Sequence, residues 1–359
     1  MAKQILDSRE LIEKVDVANV LGSIEQLGSQ VQHIWELAQQ VPLDESYKNV
    51  NCVVVAGMGG SALGTHVIQT VFKDEIKVPV LISPDYDVPS FVDEKTLVIA
   101  SSYSGNTEET LAATQDAINK KAKVVGITSG GKLAKLLTEK NLPVLVFEPT
   151  YNPSNSPRMA LGYSVFGQIA LFSQAGLLKI TQDDYTSVLE AVAQAHLLSG
   201  VNVKTEANPA KLLAFEMIDH IPVLTAAQHL EGITHVFANQ INENSKQFSE
   251  YRVVPELNHH LMEGLQFPKT NDSNLLFVTI HSNLYLKSNQ VRMDLTQQVL
   301  EQNDIEFRTF DLKSASKLEQ AFELLTFGAY VSFYLAMLNN QNPAPNPWVD
   351  WFKDQLKKG

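Results

Sequence analysis

Two short loops in the first third of the sequence carry residues suited to holding one phosphate. The first, Gly57-Met58-Gly59-Gly60-Ser61, follows the apolar run Val53-Val54-Val55-Ala56. The second, Ser101-Ser102-Tyr103-Ser104-Gly105-Asn106-Thr107, follows Leu97-Val98-Ile99-Ala100. Small residues let the main chain approach an anion, and unpaired N–H groups at a helix start point at it. Ser and Thr hydroxyls add donors. Neither loop contains Lys or Arg. That composition suits a snug neutral cradle for a small phospho-ligand rather than a charge clamp for a polymer. The candidate phosphate ligands are Gly60, Ser61, Ser102, Ser104 and Thr107.

Such loops need a strand before them and a helix after them. The apolar runs predict strands over 53–56, 78–83, 97–101, 123–128 and 143–147, with helices over 61–73, 107–121 and 132–140. The rhythm repeats with strands over 222–227, 251–254, 275–280 and 305–310, and helices over 230–248, 287–303 and 315–339. Strands alternating with helices of this length mean parallel sheets covered on both faces. Binding then belongs at the carboxyl ends of the strands, where both loops lie. Residues 8–40 read as one or two leading helices, and 149–158 as an irregular connection. A Pro/Asn-rich stretch, Asn340 to Pro347, leads to a terminal amphipathic helix around Trp348 to Lys358. The second half has no glycine-serine loop after its first strand, so two similar folds with a single phosphate cradle are expected.

Bulk properties narrow the function classes. A chain of 359 residues accommodates two domains with real cores. A formal net charge of −12 argues against nucleic acid as a partner, since that binding leans on Lys and Arg. A lone cysteine, Cys52, cannot form an intramolecular disulfide and fits a reducing cytoplasm. Met1 to Val15 carries mixed charge and no apolar core, unlike a signal peptide. The uncharged stretch Leu324 to Leu338 falls short of the ~20 residues a membrane span needs and reads as a buried helix. The nine histidines form no metal-ligand pattern, His259-His260 being a side-by-side pair rather than an i, i+4 pair. No Gly-Lys-Ser/Thr phosphate loop occurs. Neither a metal nor a cofactor is expected.

The glycine loop alone also fits the dinucleotide fingerprint, with Asp85 as a late ribose acid. The hydroxyl-rich second loop, followed by Glu108 and Glu109, suits a monophosphate instead. Helix capping explains either loop alone but hardly both.

Together the loops resemble the sugar isomerase (SIS) domain, a doubly wound phosphosugar-binding fold. Three later segments narrow the resemblance to the bifunctional phosphoglucose/phosphomannose isomerase family. They are Ser156-Pro157-Arg158 with Leu161-Gly162-Tyr163, then Asn242-Glu243-Asn244-Ser245-Lys246, then Pro255-Glu256-Leu257-Asn258-His259-His260-Leu261-Met262-Glu263-Gly264. The resemblance runs from about residue 50 to the end of the chain.

It implies an α/β chain with two SIS-type doubly wound parallel-sheet (flavodoxin-like) domains and flanking helices. The expected boundaries are 1–155, connecting helices 156–200, a second domain over 201–340, and a tail, 341–359, closing the site. By the same resemblance Glu243 is the catalytic base and Arg158 stabilises the developing negative charge. His259 assists ring opening, and Lys353 on the terminal helix lies in the active site. Isomerising an aldose 6-phosphate needs such a set: ring opening, proton transfer between C2 and C1, and stabilisation of an enediolate. The plain alternatives are a solvated Glu243, or one paired with Lys246 three residues on, and a surface Arg158. His260 stands where relatives often carry Asn, and Lys357 and Lys358 rival Lys353. The family's histidine crosses a dimer interface, which implies a homodimer with shared sites. The expected substrates are glucose 6-phosphate, mannose 6-phosphate and fructose 6-phosphate, with no nucleic-acid or membrane partner. The rival readings are a non-catalytic phosphosugar sensor and an isomerase of another sugar phosphate.

Overall fold

The computed structural model describes residues 2–356 and 358, so the candidate Lys357 lies outside the described residues. Two parallel sheets form. The first contains β1 (Cys52–Gly57), β2 (Val80–Ser83), β3 (Thr96–Ser101), β4 (Lys123–Thr128) and β5 (Val144–Val146), in the order β2-β1-β3-β4-β5. The second contains β6 (Ile221–Ala227), β7 (Glu250–Val254), β8 (Leu275–His281) and β9 (Glu306–Asp311), in the order β7-β6-β8-β9. Every pairing is parallel. Along β1, Val53 and Val55 enter one apolar core while Val54 and Ala56 enter another on the opposite face. Burial on both faces is why these strands read as unbroken apolar runs.

The order reverses at β1, whose neighbours are β2 on one side and β3 on the other. A crevice opens at the carboxyl ends of such a switch point. Gly57 pairs with Ser101 across β1 and β3, so both candidate loops leave the sheet side by side at the same level.

A core helix, Lys317–Leu338, stands against the helices Gln182–Ser199, Pro209–Glu216 and Glu231–Gln240. It is long and apolar enough to cross a membrane, but 89% of its apolar window is buried inside the protein. Its start, seven residues before Leu324, makes it longer than the uncharged stretch suggests. Its buried hydroxyls are paired: Tyr334 donates to the Ser199 carbonyl at 2.6 Å, and Tyr330 bonds His196 Nδ1 at 2.5 Å.

The halves meet where the helix after the glycine loop, Leu63–Val71, crosses Glu231–Gln240. The crossing is close: a Cβ on Gly232 would lie 2.1 Å from the His66 carbonyl oxygen. The leading region is more broken than expected, with helices over Ala2–Leu6, Arg9–Val15, Val20–Glu25 and Leu27–Ala38. Asp16 explains one break, because its carboxylate accepts from the Val20 and Leu21 amides at 2.8 Å. The helix expected over 230–248 also ends early, at Gln240, and passes into a π-helical turn, Ile241–Ser245.

Candidate active site

The two loops interlock before any ligand arrives. The Tyr103 amide donates to Ser61 Oγ at 3.0 Å, and Ser101 Oγ donates to the Ser61 carbonyl at 2.7 Å. Gln168, fully buried, donates to both the Ser61 carbonyl and Ser101 Oγ. Ser102 Oγ and Thr107 Oγ1 share a bond of 3.0 Å, and Ser104 Oγ accepts from the Asn106 amide at 3.2 Å. Ser61 and Ser104 therefore accept from backbone amides and keep their own hydrogens, while the Ser102–Thr107 pair keeps one. Those hydrogens suit phosphate oxygens. Thr107 caps the helix Glu108–Asn119 without a side-chain bond to it, so its hydroxyl is not spent on capping.

Arg158 follows Pro157 in a short 3₁₀ turn, Pro157–Met159, and is buried. The glycine loop abuts that turn: a Cβ on Gly60 would lie 3.7 Å from Arg158 Cα. Most of the guanidinium is committed. Nε donates to Asn244 Oδ1 at 2.8 Å, and one terminal nitrogen donates to the carbonyls of Pro343 and Ala344 at 2.5 and 2.7 Å. The other terminal nitrogen faces Glu243 Oε2 at 3.8 Å. That spacing is an ion pair without a hydrogen bond, so donors remain for a third group. Burial pushes the guanidinium pKa down, and the Glu243 and Asp350 carboxylates oppose the shift.

Glu243 sits in the π-helical turn that continues from Glu231–Gln240. The crossing at Gly232 thus ties Glu243 to the helix that follows the glycine loop. Its carboxylate is partly exposed and accepts from Asn346 Nδ2 at 2.8 Å. The expected alternative pairing with Lys246 does not form at the carboxylate. Lys246 Nζ donates instead to the main-chain carbonyl of Glu243.

Several residues that sequence reasoning left unassigned complete the centre. Asn244 is fully buried and joins Arg158 to Ser332 of the core helix. Residues 343–346 form a strap over the Arg158–Glu243 pair. Gln168 clamps the loops. Gln168 leaves a faint signal, a polar residue beside an apolar run; Asn244 lies in the segment 242–246 that carries the resemblance, and the strap in the tail expected to close the site.

The structure does not bring the remaining candidates to this centre within one chain. His259 and His260 lie exposed after β7, the edge strand of the second sheet. His260 Nε2 bonds Glu256 Oε2 at 2.7 Å, and among the described residues neither histidine bonds Arg158 or Glu243. Lys353 is exposed on the terminal helix Pro347–Leu356. That helix starts directly after Asn346, and its Asp350 is near enough to act on Arg158. Lys353 shares a helix face with Asp350 by the i, i+3 rule. Lys358 is exposed in the turn beyond. Among the described residues, no group of three or more His, Cys, Asp or Glu is arranged to hold a metal ion.

Comparisons with known proteins agree with this architecture. Residues 46–139 match the SIS domain model, and residues 206–356 match the bacterial phospho-glucose isomerase C-terminal SIS domain model. A bifunctional phosphoglucose/phosphomannose isomerase of Caldicellulosiruptor bescii is 35% identical, over 93% of this chain and 98% of its own length. Another protein so described, from Thermoplasma volcanium, is 32% identical over 90% of this chain and 98% of its own. Among solved structures, a hypothetical protein from Thermus thermophilus superposes with a TM-score of 0.75 at 17% identity, covering 99% of this chain and 93% of that one. The last likeness is one of fold.

Proposed function

The chain belongs to the bifunctional phosphoglucose/phosphomannose isomerase family, and from that membership we propose how its residues interconvert aldose and ketose 6-phosphates. It is a sugar-phosphate isomerase, acting on glucose 6-phosphate, mannose 6-phosphate and fructose 6-phosphate. The observation that carries the reading is the Arg158–Glu243 pair abutting the glycine loop.

Gly60, Ser61, Ser102, Ser104 and Thr107 receive the 6-phosphate. The open-chain sugar extends from there toward Arg158. Glu243 takes the proton from C2 of the aldose; the C2–H electrons form the C1–C2 double bond, and the C1 carbonyl oxygen takes up the negative charge. The uncommitted terminal nitrogen of Arg158 stabilises that oxygen. Return of the proton to C1, with transfer of the hydroxyl proton from O2 to O1, yields the ketose. Rotation about C2–C3 presents either C2 epimer to the same carboxylate, which accounts for two aldose substrates. Ring opening falls to His259 of the partner subunit, with Lys353 orienting the open chain. The reading routes no step through a metal or cofactor.

In this reading residues 1–155 and 201–340 serve as the two domains, 156–200 join them, and 341–359 close the site. The protein acts as a homodimer. A cytoplasmic setting suits its buried, unpaired Cys52.

The test is a coupled assay with fructose 6-phosphate that detects glucose 6-phosphate and mannose 6-phosphate separately, with Glu243→Gln as control. Both products are expected, and the substitution lowers kcat by about 10²–10⁴-fold, the usual contribution of a general base, with binding retained. Turnover that survives Glu243→Gln would remove Glu243 from the mechanism. Saturable sugar-phosphate binding without product would favour a sensor.

A further inference from the structure

Lys246 ends the turn that carries Glu243, and its main chain is left-handed, with φ of +56°. A left-handed residue lets the chain leave a helix end sharply. The Lys246 side chain runs back over the turn. Nζ donates to the Glu243 carbonyl, to the Pro343 carbonyl at 3.2 Å and to Asn346 Oδ1 at 3.4 Å. The Pro343 carbonyl also accepts from Arg158, so two cations share one strap oxygen.

The contact with Asn346 has a directional consequence. An ammonium only donates, so it selects the oxygen end of the Asn346 amide. The amide NH₂ must then face the other way, where Nδ2 donates to Glu243 Oε2 at 2.8 Å. We infer that Lys246 is a positioning residue of the isomerase, pinning the 343–346 strap over Arg158 and turning the Asn346 amide to hold the Glu243 carboxylate. The inference rests on the proposed role of Glu243 as base.

Two cations sharing one strap oxygen make the arrangement sensitive to alkali. Lys246 remains solvent-accessible as a residue, but partial desolvation of its ammonium and the nearby Arg158 charge lower its pKa to about 8. The charged groups facing it are Arg158, which opposes its proton, and Glu243, which favours it. Asp350 acts on the same cluster through Arg158. As pH rises through 8 the charge-assisted bonds to the strap weaken, and turnover falls without loss of the fold.

The test compares Lys246→Met and Lys246→Arg with the unsubstituted protein from pH 6 to 10. Lys246→Met is expected to lower kcat about tenfold at pH 7, to change KM by less than about threefold, and to abolish the alkaline fall. Lys246→Arg keeps the cation at every pH in that range, so activity is rescued and the alkaline fall moves upward. Unchanged kcat in Lys246→Met, or an alkaline fall still near pH 8 in Lys246→Arg, would overturn the inference. Amide hydrogen exchange of the segment 341–350 gives a readout independent of turnover. Exchange faster in Lys246→Met than in the unsubstituted protein is expected, and equal rates would overturn the pinning. If the unsubstituted protein itself does not isomerise fructose 6-phosphate, the proposed function fails while the exchange data still decide whether Lys246 holds the strap.

Discussion

In the proposed mechanism Arg158 couples chemistry to architecture through the shape of its guanidinium. One fork reaches Asn244, the strap carbonyls and the Glu243 carboxylate at once. A lysine carries the same charge but cannot make that set of bonds from one nitrogen. Arg158→Lys is therefore expected to lower kcat by about 10²–10³-fold through loss of preorganised charge. It also leaves buried acceptors unpaired, costing about 1–3 kcal/mol of stability, which a shift of the urea midpoint measures. Wild-type turnover in Arg158→Lys would show that charge alone suffices. Arg158 and Glu243, which the fold brings together, were both singled out in the sequence because each sits in a segment that resembles a family motif. The contacts of Asn346 and Lys246 were not, for a physical reason. Their roles exist only once the strap returns about 100 residues later in the chain to lie on the turn after Glu243.

At the scale of elements, the cradle depends on how closely its loops pack. Gly105 has φ of +65°, and a Cβ there would lie 1.9 Å from the Gly130 carbonyl oxygen. Gly59 also has positive φ, +49°, but a Cβ there meets nothing within 4 Å. Gly59→Ala should therefore cost only the backbone term, about 1 kcal/mol. Gly105→Ala must displace main chain as well, so it should unfold at distinctly lower urea and raise KM for the sugar phosphate more than tenfold by opening the cradle. Equal effects from the two substitutions would mean that the 104–106 turn is more pliable than its packing implies. Most elements were legible: β4 matches its expected range, and the other strands match to within two residues, because buried parallel strands announce themselves as apolar runs. The irregular parts were not. The break at Asp16 depends on a carboxylate capping the next helix, and the π-helical turn at Ile241 keeps a helical sequence pattern while changing its hydrogen bonds. Glu243, the proposed base, sits in that turn, so the least legible local geometry lies at the residue on which the proposed mechanism depends most.

At the scale of the whole molecule, a single chain presents two unfinished surfaces. His259 stands exposed at the edge of the second sheet. The terminal helix exposes Trp348, Trp351, Phe352 and Leu356, large apolar groups that a monomer would leave in water. In the proposed homodimer a second copy would cover apolar surface and bring its His259 to the Arg158–Glu243 centre. If the sites are shared in this way, two inactive variants can repair each other. Glu243→Gln and His259→Ala should each lose turnover as homodimers. In a mixed dimer one site combines an intact Glu243 with an intact His259, and the other site carries both lesions. Random exchange makes about half of the dimers mixed, each with one working site of two, so about a quarter of the wild-type activity should return after mixing and co-refolding. Chains that each use their own His259 cannot complement, and their mixture would stay as inactive as its parts. The size of the recovery thus reads out both the assembly and the origin of the histidine, which the sequence suggests only through its resemblance to a family.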